Sequence, residues 1–385
     1  MKYDGIMPGY RILVVCGGNT VSGLEIANLT LMKQLKEIGY SVCCLTSGWN
    51  DGAFISRLQA LDIPYQCVKL GNLYISRPVW TLDTILNFPK AVFQIRNLLK
   101  RFQPDTIILN DHRSFLYSGF LWKGFNVIFW EHNLPPVNLF NKITYGRLAK
   151  TVSHIVACSE YVNLRLSEFI ISGRSKIRTI YNGIDTADSY VAHETKRMDN
   201  GIRIGIVGQV ILRKGHMLLA EALSILVDRG LPCAVYIYGN DQTLYASEVR
   251  YLAEKMGLNK HIHWMGFVQD KNMIYNNLDI VVVPSMNEPF GLVALEPALW
   301  EIPVVAVRSG GLPEIIIHEF NGLLFELDNY NDLAAQLEKL ISRPQFRSEI
   351  GRQAKTVLME RFSASRMADR FIEIFALSDT FDFQK

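Results

Sequence analysis

Two glutamates flank a tight turn in the second half of the chain. Glu288 and Glu296 are separated by seven residues, and Pro289 and Gly291 lie between them. An apolar run at 280–283 precedes this turn and has the composition of a buried parallel strand. Ligands of parallel sheets bind at the carboxyl ends of the strands. The spacing therefore predicts that the turn and both carboxylates face a ligand.

The backbone amides and the carboxylates of this segment suggest two kinds of ligand contact. We expect a helix to begin near Leu292, so that the amides of Phe290, Gly291 and Leu292 lie at its N-terminus. Free N–H groups and about half a positive charge at that end suit a diphosphate or a sugar hydroxyl. Glu288 and Glu296 would repel phosphate, so they would accept hydrogen bonds from the hydroxyls of a ribose or a hexose. The equally weighted alternative is a surface Glu288 and a Glu296 that caps a helix or forms a salt bridge.

A second anion site is suggested by the glycine-rich turn after the first strand candidate. Residues 16–23 read Cys-Gly-Gly-Asn-Thr-Val-Ser-Gly and lack the Gly-x-Gly-x-x-Gly spacing of dinucleotide-binding loops. The corresponding segment at 207–210 also lacks it, so an NAD-dependent oxidoreductase is not expected. Gly23 can mark a helix N-terminus that receives an anion. A tight turn alone accounts for these glycines equally well.

Short β-branched runs alternate with longer amphipathic segments along the whole chain. This pattern predicts strands joined by crossover helices, and it occurs as two series of similar length. The strand candidates are 12–16, 42–46, 106–109, 127–130, 155–158 and 177–181 in the first series, and 202–207, 234–238, 262–265, 280–283, 304–307 and 323–325 in the second. We therefore predict an α/β protein with two doubly wound Rossmann-like domains that face each other across a cleft.

A polar segment at 186–200 separates the two series. We place the first domain at 1–190 and the second at 191–362. A last helix at 365–376 follows the second sheet, and one option is that it packs back on the first domain.

The composition excludes several classes of protein. The chain has 385 residues, of which 49% are hydrophobic and 20% charged, as in folded globular proteins. No segment approaches the ~20 apolar residues of a membrane-spanning helix, and the first ten residues lack the apolar core of a secretory signal. The six cysteines show no metal-ligand spacing. These features indicate a cytoplasmic protein with reduced cysteines.

The charge is unevenly distributed. Residues 1–190 carry 20 Lys and Arg against 13 Asp and Glu, a net charge of +7, whereas residues 191–385 are mildly acidic. A basic half can face nucleic acid, an anionic membrane or a phosphorylated substrate, and scattered solvated lysines are the equally weighted alternative. No nucleic-acid-binding motif accompanies the charge, so no nucleic-acid partner is expected.

The segment 89–102 is predicted to be a basic amphipathic helix, and its apolar face would contain Val92, Phe93, Ile95, Leu99 and Phe102. Such a helix can lie on an anionic membrane. The alternative is that the apolar face covers the first sheet, and this is favoured because every helix of a doubly wound sheet must bury one face. The basic charge of the first half still favours weak, salt-sensitive attachment to a membrane.

The two glutamates, with Pro-Phe-Gly-Leu between them, resemble the signature of the family-4 retaining glycosyltransferases of GT-B fold. Other segments agree with that family in their order along the chain. They are Asn182-Gly183-Ile184-Asp185, Gly208 with Lys214-Gly215-His216, Pro284-Ser285, Gly310-Gly311-Leu312-Pro313-Glu314 and Asn321-Gly322. The resemblance covers most of residues 10–362. It implies that the first domain binds the acceptor and that the second binds a nucleotide sugar.

The resemblance also implies a role for each matched residue. Glu296 would accept hydrogen bonds from the ribose hydroxyls of the donor, and Glu288 would contact the donor sugar ring. Lys214 would hold the diphosphate as a compact point charge. The other implied donor contacts are the amides of Phe290, Gly291 and Leu292, Gly23 at the first helix, and His132 near the donor sugar. Lys214, Glu288 and His132 are thus the candidate catalytic residues, although His132 by itself would more often be a structural histidine.

One position departs from the family pattern. Arginine usually follows the glycine that Gly208 matches, whereas Gln209 follows it here. A neutral amide brings no positive charge to a diphosphate, so Lys214 would stabilise the leaving group with less help. Arg213, adjacent to Lys214, is the candidate to supply the missing charge. The departure bears on the rate and the donor class more than on the reaction type.

The implied reaction is the retaining transfer of a hexose-type sugar from a nucleotide-diphosphate sugar to a glycan or lipid-linked acceptor. Surface polysaccharide or glycolipid synthesis, at the inner face of the membrane, is the expected setting. The chain has no Asp-x-Asp motif, so we expect no metal and no other cofactor. Two alternatives stay open: a catalytically weak sugar-nucleotide-binding subunit, which Gln209 motivates, and a sugar-nucleotide epimerase of the same architecture.

Overall fold

A computed structural model describes residues 9–16, 20–48, 51–69, 78–110, 119–170, 173–186 and 201–379. Contacts divide the chain into two units, Met1–Gly183 with Ala364–Lys385, and Ile184–Ser363. Each unit contains one parallel sheet with helices in the connections, which confirms the predicted α/β class with two Rossmann-like sheets. Most of the predicted linker at 186–200 lies outside the described residues.

The first unit has a seven-stranded sheet in the order β3-β2-β1-β4-β5-β6-β7. Its strands are β1 Arg11–Cys16, β2 Ser41–Ser47, β3 Tyr65–Val68, β4 Thr106–Leu109, β5 Asn126–Glu131, β6 His154–Ala157 and β7 Ile177–Thr179. From β1 the chain adds β2 and β3 on one side of β1, and it then returns to add β4 on the other side. The switch point, where such sheets bind ligands, therefore lies between β1 and β4. The sequence patterns do not predict β3, an edge strand in which only Val68 is buried.

Six helices of this unit are described. They are α1 Gly23–Ile38, α2 Ala53–Ala60, α3 Pro78–Phe102, α4 Leu139–Thr151, α5 Glu160–Phe169 and α13 Ala364–Asp379. At the start of α1 the Ser22 amide donates a 2.8 Å hydrogen bond to the Glu25 carboxylate. The helix ends at Gly39, whose φ of 111° lies in the left-handed region that glycine favours.

The helix α13 belongs to the core of the first unit. Its buried residues are Met367, Ala368, Phe371, Ile374 and Phe375. The rings of Phe371 and Trp130 lie 4.8 Å apart, and those of Phe375 and Tyr10 lie 5.9 Å apart. This core is therefore built from two stretches of chain that are separated by the whole second unit.

The predicted helix at 89–102 is the C-terminal part of the longer helix α3. Of the predicted apolar face, Ile95 and Leu99 are buried, Val92 and Phe102 are half-buried, and Phe93 is exposed. The side of the helix that covers the sheet is therefore only partly the predicted one. Neither α3 nor any other helix in the described ranges is long and apolar enough to span a membrane.

The second unit has a six-stranded parallel sheet in the order β10-β9-β8-β11-β12-β13. Its strands are β8 Ile202–Val207, β9 Cys233–Tyr238, β10 Ile262–Gly266, β11 Ile280–Val283, β12 Val304–Val307 and β13 Leu323–Phe325. Its helices are α6 His216–Asp228, α7 Leu244–Lys255, α8 Lys271–Tyr275, α9 Leu292–Leu295, α10 Leu312–Ile315, α11 Tyr330–Ser342 and α12 Pro344–Arg361. Because β8 and β11 are neighbours at the switch point, the loops that follow them lie side by side.

Candidate functional site

Close backbone contacts join the loops that follow β8 and β11. Gly215 has a φ of +72°, and a Cβ at this position would lie 2.6 Å from the carbonyl oxygen of Pro284. A side chain would therefore push the two loops apart, so glycine is required here. The amide of Met286 donates a 2.9 Å hydrogen bond to the carbonyl oxygen of Arg213. These contacts hold the two loops at a fixed distance.

An ion pair connects the same two loops. The Nζ atom of Lys214 lies 3.0 Å from Oε2 of Glu288, and the two side chains are only 11% and 15% exposed. Arg213 is more exposed and places Nη1 3.4 Å from the same carboxylate oxygen. Gly208 has a φ of +139°, a backbone conformation that favours glycine, and a Cβ there would make only an ordinary contact with Cε of Lys214, at 3.7 Å. Lys214, the residue predicted to bind the diphosphate, is thus paired with Glu288, the residue predicted to contact the donor sugar.

A third loop fixes the backbone of Glu288. The amide of Gly311 donates a 2.8 Å hydrogen bond to the Glu288 carbonyl oxygen. Gly310 has a φ of +64°, and a Cβ on it would lie 2.4 Å from that oxygen. The motif Gly310-Gly311 therefore supports the acidic loop directly.

The segment from Phe290 to Leu292 leads into a single helical turn. Gly291 has a φ of 108° and precedes α9, which spans only four residues before a 3₁₀ turn at Glu296–Trp300. The Phe290 ring is buried, 6.0 Å from the ring of Phe362. Leu292 is also buried. Their side chains anchor the turn in the core, so only backbone groups of this segment are suited to meet a ligand.

Glu296 is held by two residues of α8. Its Oε1 lies 2.9 Å from Nζ of Lys271, and its Oε2 accepts a 2.9 Å hydrogen bond from the hydroxyl of Tyr275. Burial, and then the nearby Glu296 carboxylate, raise the pKa of Tyr275 well above its ordinary value. The salt bridge that the sequence left open as an alternative is present. It does not occupy the carboxylate fully, because each oxygen has two lone pairs.

Gln209 and His216 lie on either side of Lys214 in the sequence. Gln209 is exposed, as expected for a residue that could meet solvent or a ligand. His216 begins α6 and is buried, and neither of its ring nitrogens has a partner among the described residues. Burial, together with the charge of Lys214, lowers the pKa of His216 to about 4. His216 is therefore neutral at physiological pH.

In the first unit, His132 follows β5 and belongs to a buried polar cluster. Its Nε2 lies 3.0 Å from Oδ1 of Asn110, which also accepts a 3.0 Å hydrogen bond from Nδ2 of Asn28. The Asn110 amide group donates to the carbonyl oxygen of Val15 at 3.3 Å, which turns its oxygen toward the histidine. Nε2 must therefore carry the proton, and Nδ1 presents a lone pair.

Burial lowers the pKa of His132 to about 3, so its ring is neutral near pH 7. Its Nδ1 atom is buried and has no hydrogen-bond partner in the part of the chain that the structure describes. A neutral imidazole of this kind can accept a hydrogen bond from a hydroxyl, but it is a poor proton donor. This chemistry suits a contact to a sugar.

Gly23, the other site residue predicted in the first unit, is the first residue of α1 and is exposed. The Glu25 carboxylate already occupies the Ser22 amide next to it. A negative charge at this helix end opposes an anion, so the structure favours a hydroxyl over a phosphate at Gly23. Three residues of the preceding turn, 17–19, lie outside the described residues.

The structure thus brings Arg213, Lys214 and Glu288 together and surrounds Glu296 with polar partners. No motif in the sequence indicates Lys271, Tyr275 or Asn110 as site residues. Lys271 and Tyr275 are four residues apart and so share one helix face. This spacing alone does not indicate that the face contacts Glu296. Across the described ranges, no three His, Cys, Asp or Glu side chains form a group that could hold a metal ion.

Solved structures share this fold. The glycosyltransferase from Rickettsia africae ESF-5 superposes with a TM-score of 0.82 at 22% identity, over 95% of this chain and 98% of that one. Two family models match consecutive parts of the chain: Glycosyltransferase Family 4 at residues 21–188 and Glycosyl transferases group 1 at residues 192–357. The chain belongs to the family-4-like glycosyltransferases of GT-B fold. The family and the fold that the paired glutamates indicate are confirmed.

Other relatives and solved structures are similar over part or nearly all of their length. An uncharacterized glycosyltransferase of Methanocaldococcus jannaschii is 28% identical over 236 residues, and the capsular polysaccharide biosynthesis glycosyltransferase CapM of Staphylococcus aureus is 26% identical over 172 residues. These alignments cover 58% and 44% of this chain, and the chain spans 60% and 44% of the lengths of those relatives. HepE of Anabaena, solved in complex with UDP and glucose, has a TM-score of 0.80 at 19% identity, over 95% of this chain and 99% of that one.

Proposed function

We propose that the protein is a retaining glycosyltransferase that moves a hexose-type sugar from a nucleotide-diphosphate sugar to a glycan or lipid-linked acceptor. The observation that carries the proposal is the Lys214–Glu288 pair at the switch point of the second sheet. Family membership supports it, and so does HepE, a structural neighbour that contains UDP and glucose.

In the proposed reaction, the bond between the anomeric carbon and the leaving phosphate oxygen breaks, and its electron pair stays on the phosphate oxygen. The acceptor oxygen bonds to the same face of the anomeric carbon, and its proton passes to the leaving phosphate. The main cost is the charge that develops on the diphosphate, so a preorganised cation lowers the barrier. We assign this role to Lys214, whose largely buried ammonium group is held in place before the donor binds.

Donor binding would change the partner of Lys214. Without a diphosphate, Glu288 neutralises the ammonium group. A diphosphate carries more charge than one carboxylate, so it would compete for Lys214 and release Glu288 Oε2 to accept a hydroxyl of the sugar. Arg213, which contacts the same oxygen at 3.4 Å and is 54% exposed, can turn toward the diphosphate and supply the charge that Gln209 lacks.

Two other contacts would position the donor. Lys271 and Tyr275 orient the Glu296 carboxylate, whose remaining lone pairs would accept hydrogen bonds from the ribose hydroxyls. In the first unit, Asn110 fixes the tautomer of His132 so that Nδ1 would accept a hydroxyl of the donor sugar. Asn110 is therefore a positioning residue in this proposal.

The acceptor is proposed to be a surface polysaccharide or a glycolipid, used on the cytoplasmic side of the membrane. CapM, a relative named for capsular polysaccharide biosynthesis, supports this class of acceptor. We also propose that transfer needs no metal, because the chain has no Asp-x-Asp motif and Lys214 can meet the charge on the leaving group.

A panel of nucleotide sugars tests the proposal. We expect one donor class to raise the thermal unfolding temperature and to be hydrolysed slowly or transferred to a glycan acceptor, with mass detection of the product. Turnover should persist in EDTA; a complete loss that Mn²⁺ or Mg²⁺ restores would refute metal independence. Release of an epimerised nucleotide sugar would indicate the epimerase alternative. Tight binding of a nucleotide sugar without turnover on any acceptor would indicate the non-catalytic subunit that the exposed Gln209 motivates.

A further inference from the structure

The helix α3 has two opposite faces. The positions 84, 91, 95 and 98 are buried and face the sheet. At 3.6 residues per turn, a second set of positions falls on the opposite side of the helix. We call this set the outer stripe; it consists of Val79, Leu82, Leu86, Phe93, Arg96 and Lys100.

The first part of the outer stripe is apolar and exposed. Val79, Leu82, Leu86 and Phe93 are 75%, 58%, 71% and 65% exposed. Ile85 lies beside them and is also exposed. Single exposed apolar residues are ordinary, but a row of large ones along one helix marks an interaction surface.

The second part of the outer stripe is basic. Arg96 and Lys100 are exposed, and so is Lys90 at the border of the stripe. Within the described residues, none of these three cations pairs with a carboxylate. Two acids lie near the helix: Asp83 is paired with Lys69 at 3.4 Å, and Asp105 accepts a 2.7 Å hydrogen bond from the Arg11 amide. The stripe therefore presents an excess of positive charge next to its apolar row.

A cavity of about 620 Å³ adjoins the basic end of the stripe. Arg96 and Lys100 line it together with Arg11 and Asp105, which lie 3.9 Å apart, and its apolar wall includes Leu99, Leu121 and Phe125. Three cations against one carboxylate, around an apolar wall, suit an amphiphile with an anionic head group. Phe120, in the connection between β4 and β5, also lines the cavity and is exposed, which extends the apolar surface beyond α3.

From these observations we propose that the outer stripe of α3 docks the first unit on an anionic phospholipid membrane. The apolar side chains enter the acyl boundary, Arg96 and Lys100 contact lipid phosphates, and the cavity receives one lipid head group. The docking itself does not depend on the proposed function. Its benefit does, because docking would keep the enzyme where a lipid-linked or surface-glycan acceptor is found. The outer stripe differs from the apolar face predicted at 89–102. It includes Val79, Leu82 and Leu86, and it excludes Ile95 and Leu99, which are buried.

The form of the stripe favours a membrane over a protein partner. From Val79 to Phe93 the apolar row extends about 21 Å at 1.5 Å per residue, and it is about one side chain wide. A narrow straight row matches a helix that lies in the plane of a bilayer, with cations at head-group level. A protein partner would need a complementary apolar groove with acidic residues at one end.

Co-sedimentation with vesicles tests the proposal on the full-length protein. One set of vesicles contains phosphatidylcholine alone and the other also contains phosphatidylglycerol, each at low and high salt. We expect binding to the anionic vesicles at low salt and weaker binding at high salt, because salt screens the attraction.

Two double variants separate the contributions. Arg96→Gln with Lys100→Gln should weaken binding roughly fivefold for each cation removed. Leu82→Ser with Leu86→Ser should weaken binding about tenfold or more, since each buried leucine contributes substantially. The matched controls are Leu244→Ser and Lys260→Gln, which alter one exposed leucine and one exposed lysine of the second unit. The controls should bind vesicles as the unaltered protein does.

Three outcomes would overturn the membrane proposal. The first is no binding to anionic vesicles at low salt, and the second is equal binding by the stripe variants and the controls. The third is a protein that self-associates and does not bind vesicles, with the self-association lost in the stripe variants. Hydrolysis of the donor in solution, without vesicles, is measured in parallel and should be unchanged in all variants. Vesicle binding by a protein that turns over no donor would refute the proposed function while supporting the docking surface.

Discussion

Replacing Lys214 by methionine separates the structural effect of the ion pair from its effect on turnover. The pair joins Nζ and Oε2 at 3.0 Å, and both side chains are largely buried. At an effective dielectric constant of about 20 the attraction is about 5–6 kcal/mol, and desolvation offsets most of it. Lys214→Met leaves the Glu288 carboxylate with Arg213 as its remaining cation, at 3.4 Å. We expect the free energy of unfolding to fall by about 1–3 kcal/mol, below the ~3–5 kcal/mol of fully buried pairs.

Turnover should fall by more than the stability change can explain. If Lys214 meets the charge on the leaving diphosphate, its removal should lower kcat about 10²-fold or more. The double variant Lys214→Met with Glu288→Gln no longer leaves a charged carboxylate in place, so it should regain most of the unfolding free energy. It should remain inactive, because no cation has been restored.

Denaturant unfolding without donor and initial rates with saturating donor measure these two quantities. Lys339→Met is the matched control, since Lys339 pairs with Glu319 at 2.7 Å in the same unit but the two side chains are 34% and 50% exposed. It should change the unfolding free energy by less than about 1 kcal/mol and leave the rate unaltered. A Lys214→Met protein that is destabilised but turns over at the normal rate would refute the catalytic assignment, leaving the pair as a structural contact.

Three further predictions concern the donor and the pH dependence. Glu296→Gln should raise KM for the donor about tenfold or more, through weaker ribose hydrogen bonds, and an unchanged KM would remove Glu296 from the donor site. Gln209→Arg should preserve or increase donor affinity at low salt, with a smaller effect at high salt, and a folded variant that no longer binds donor would show that Gln209 has another role. The pKa of His132 is lowered by burial to about 3 from 6.5, so its contribution to stability is complete above pH 6.5 and is lost as the pH falls toward 3. His132→Gln should therefore lose less stability than the unaltered protein over that range in pH-dependent unfolding, and parallel curves would contradict the buried neutral state.

Buried parallel strands were predictable because they are continuous apolar runs. In the second sheet, β8, β11, β12 and β13 begin and end at the residues that the sequence indicates. The edge strand β3 was missed because an edge strand needs no continuous apolar run. Tyr65, Gln66 and Cys67 are only partly buried.

The site was predictable where one short segment carries it. The loops with Lys214 and Glu288 lie together because their strands β8 and β11 are neighbours, and the glycines between them mark close backbone contacts. The partners of Glu296 were not predictable, since Lys271 and Tyr275 precede it by more than twenty residues and carry no motif. Asn110 was missed for the same reason: its contact with His132 exists only because β4 and β5 end side by side.

The placement of α13 affects the order in which a growing chain can fold. Residues 184–363 form one uninterrupted stretch, so the second unit can fold as soon as that stretch has left the ribosome. The first unit is synthesised earlier, but Trp130 and Tyr10 receive Phe371 and Phe375 only after residue 364 has emerged. The unit that is synthesised first is therefore the one that completes its core last, and until then its unfinished apolar surface is available to chaperones.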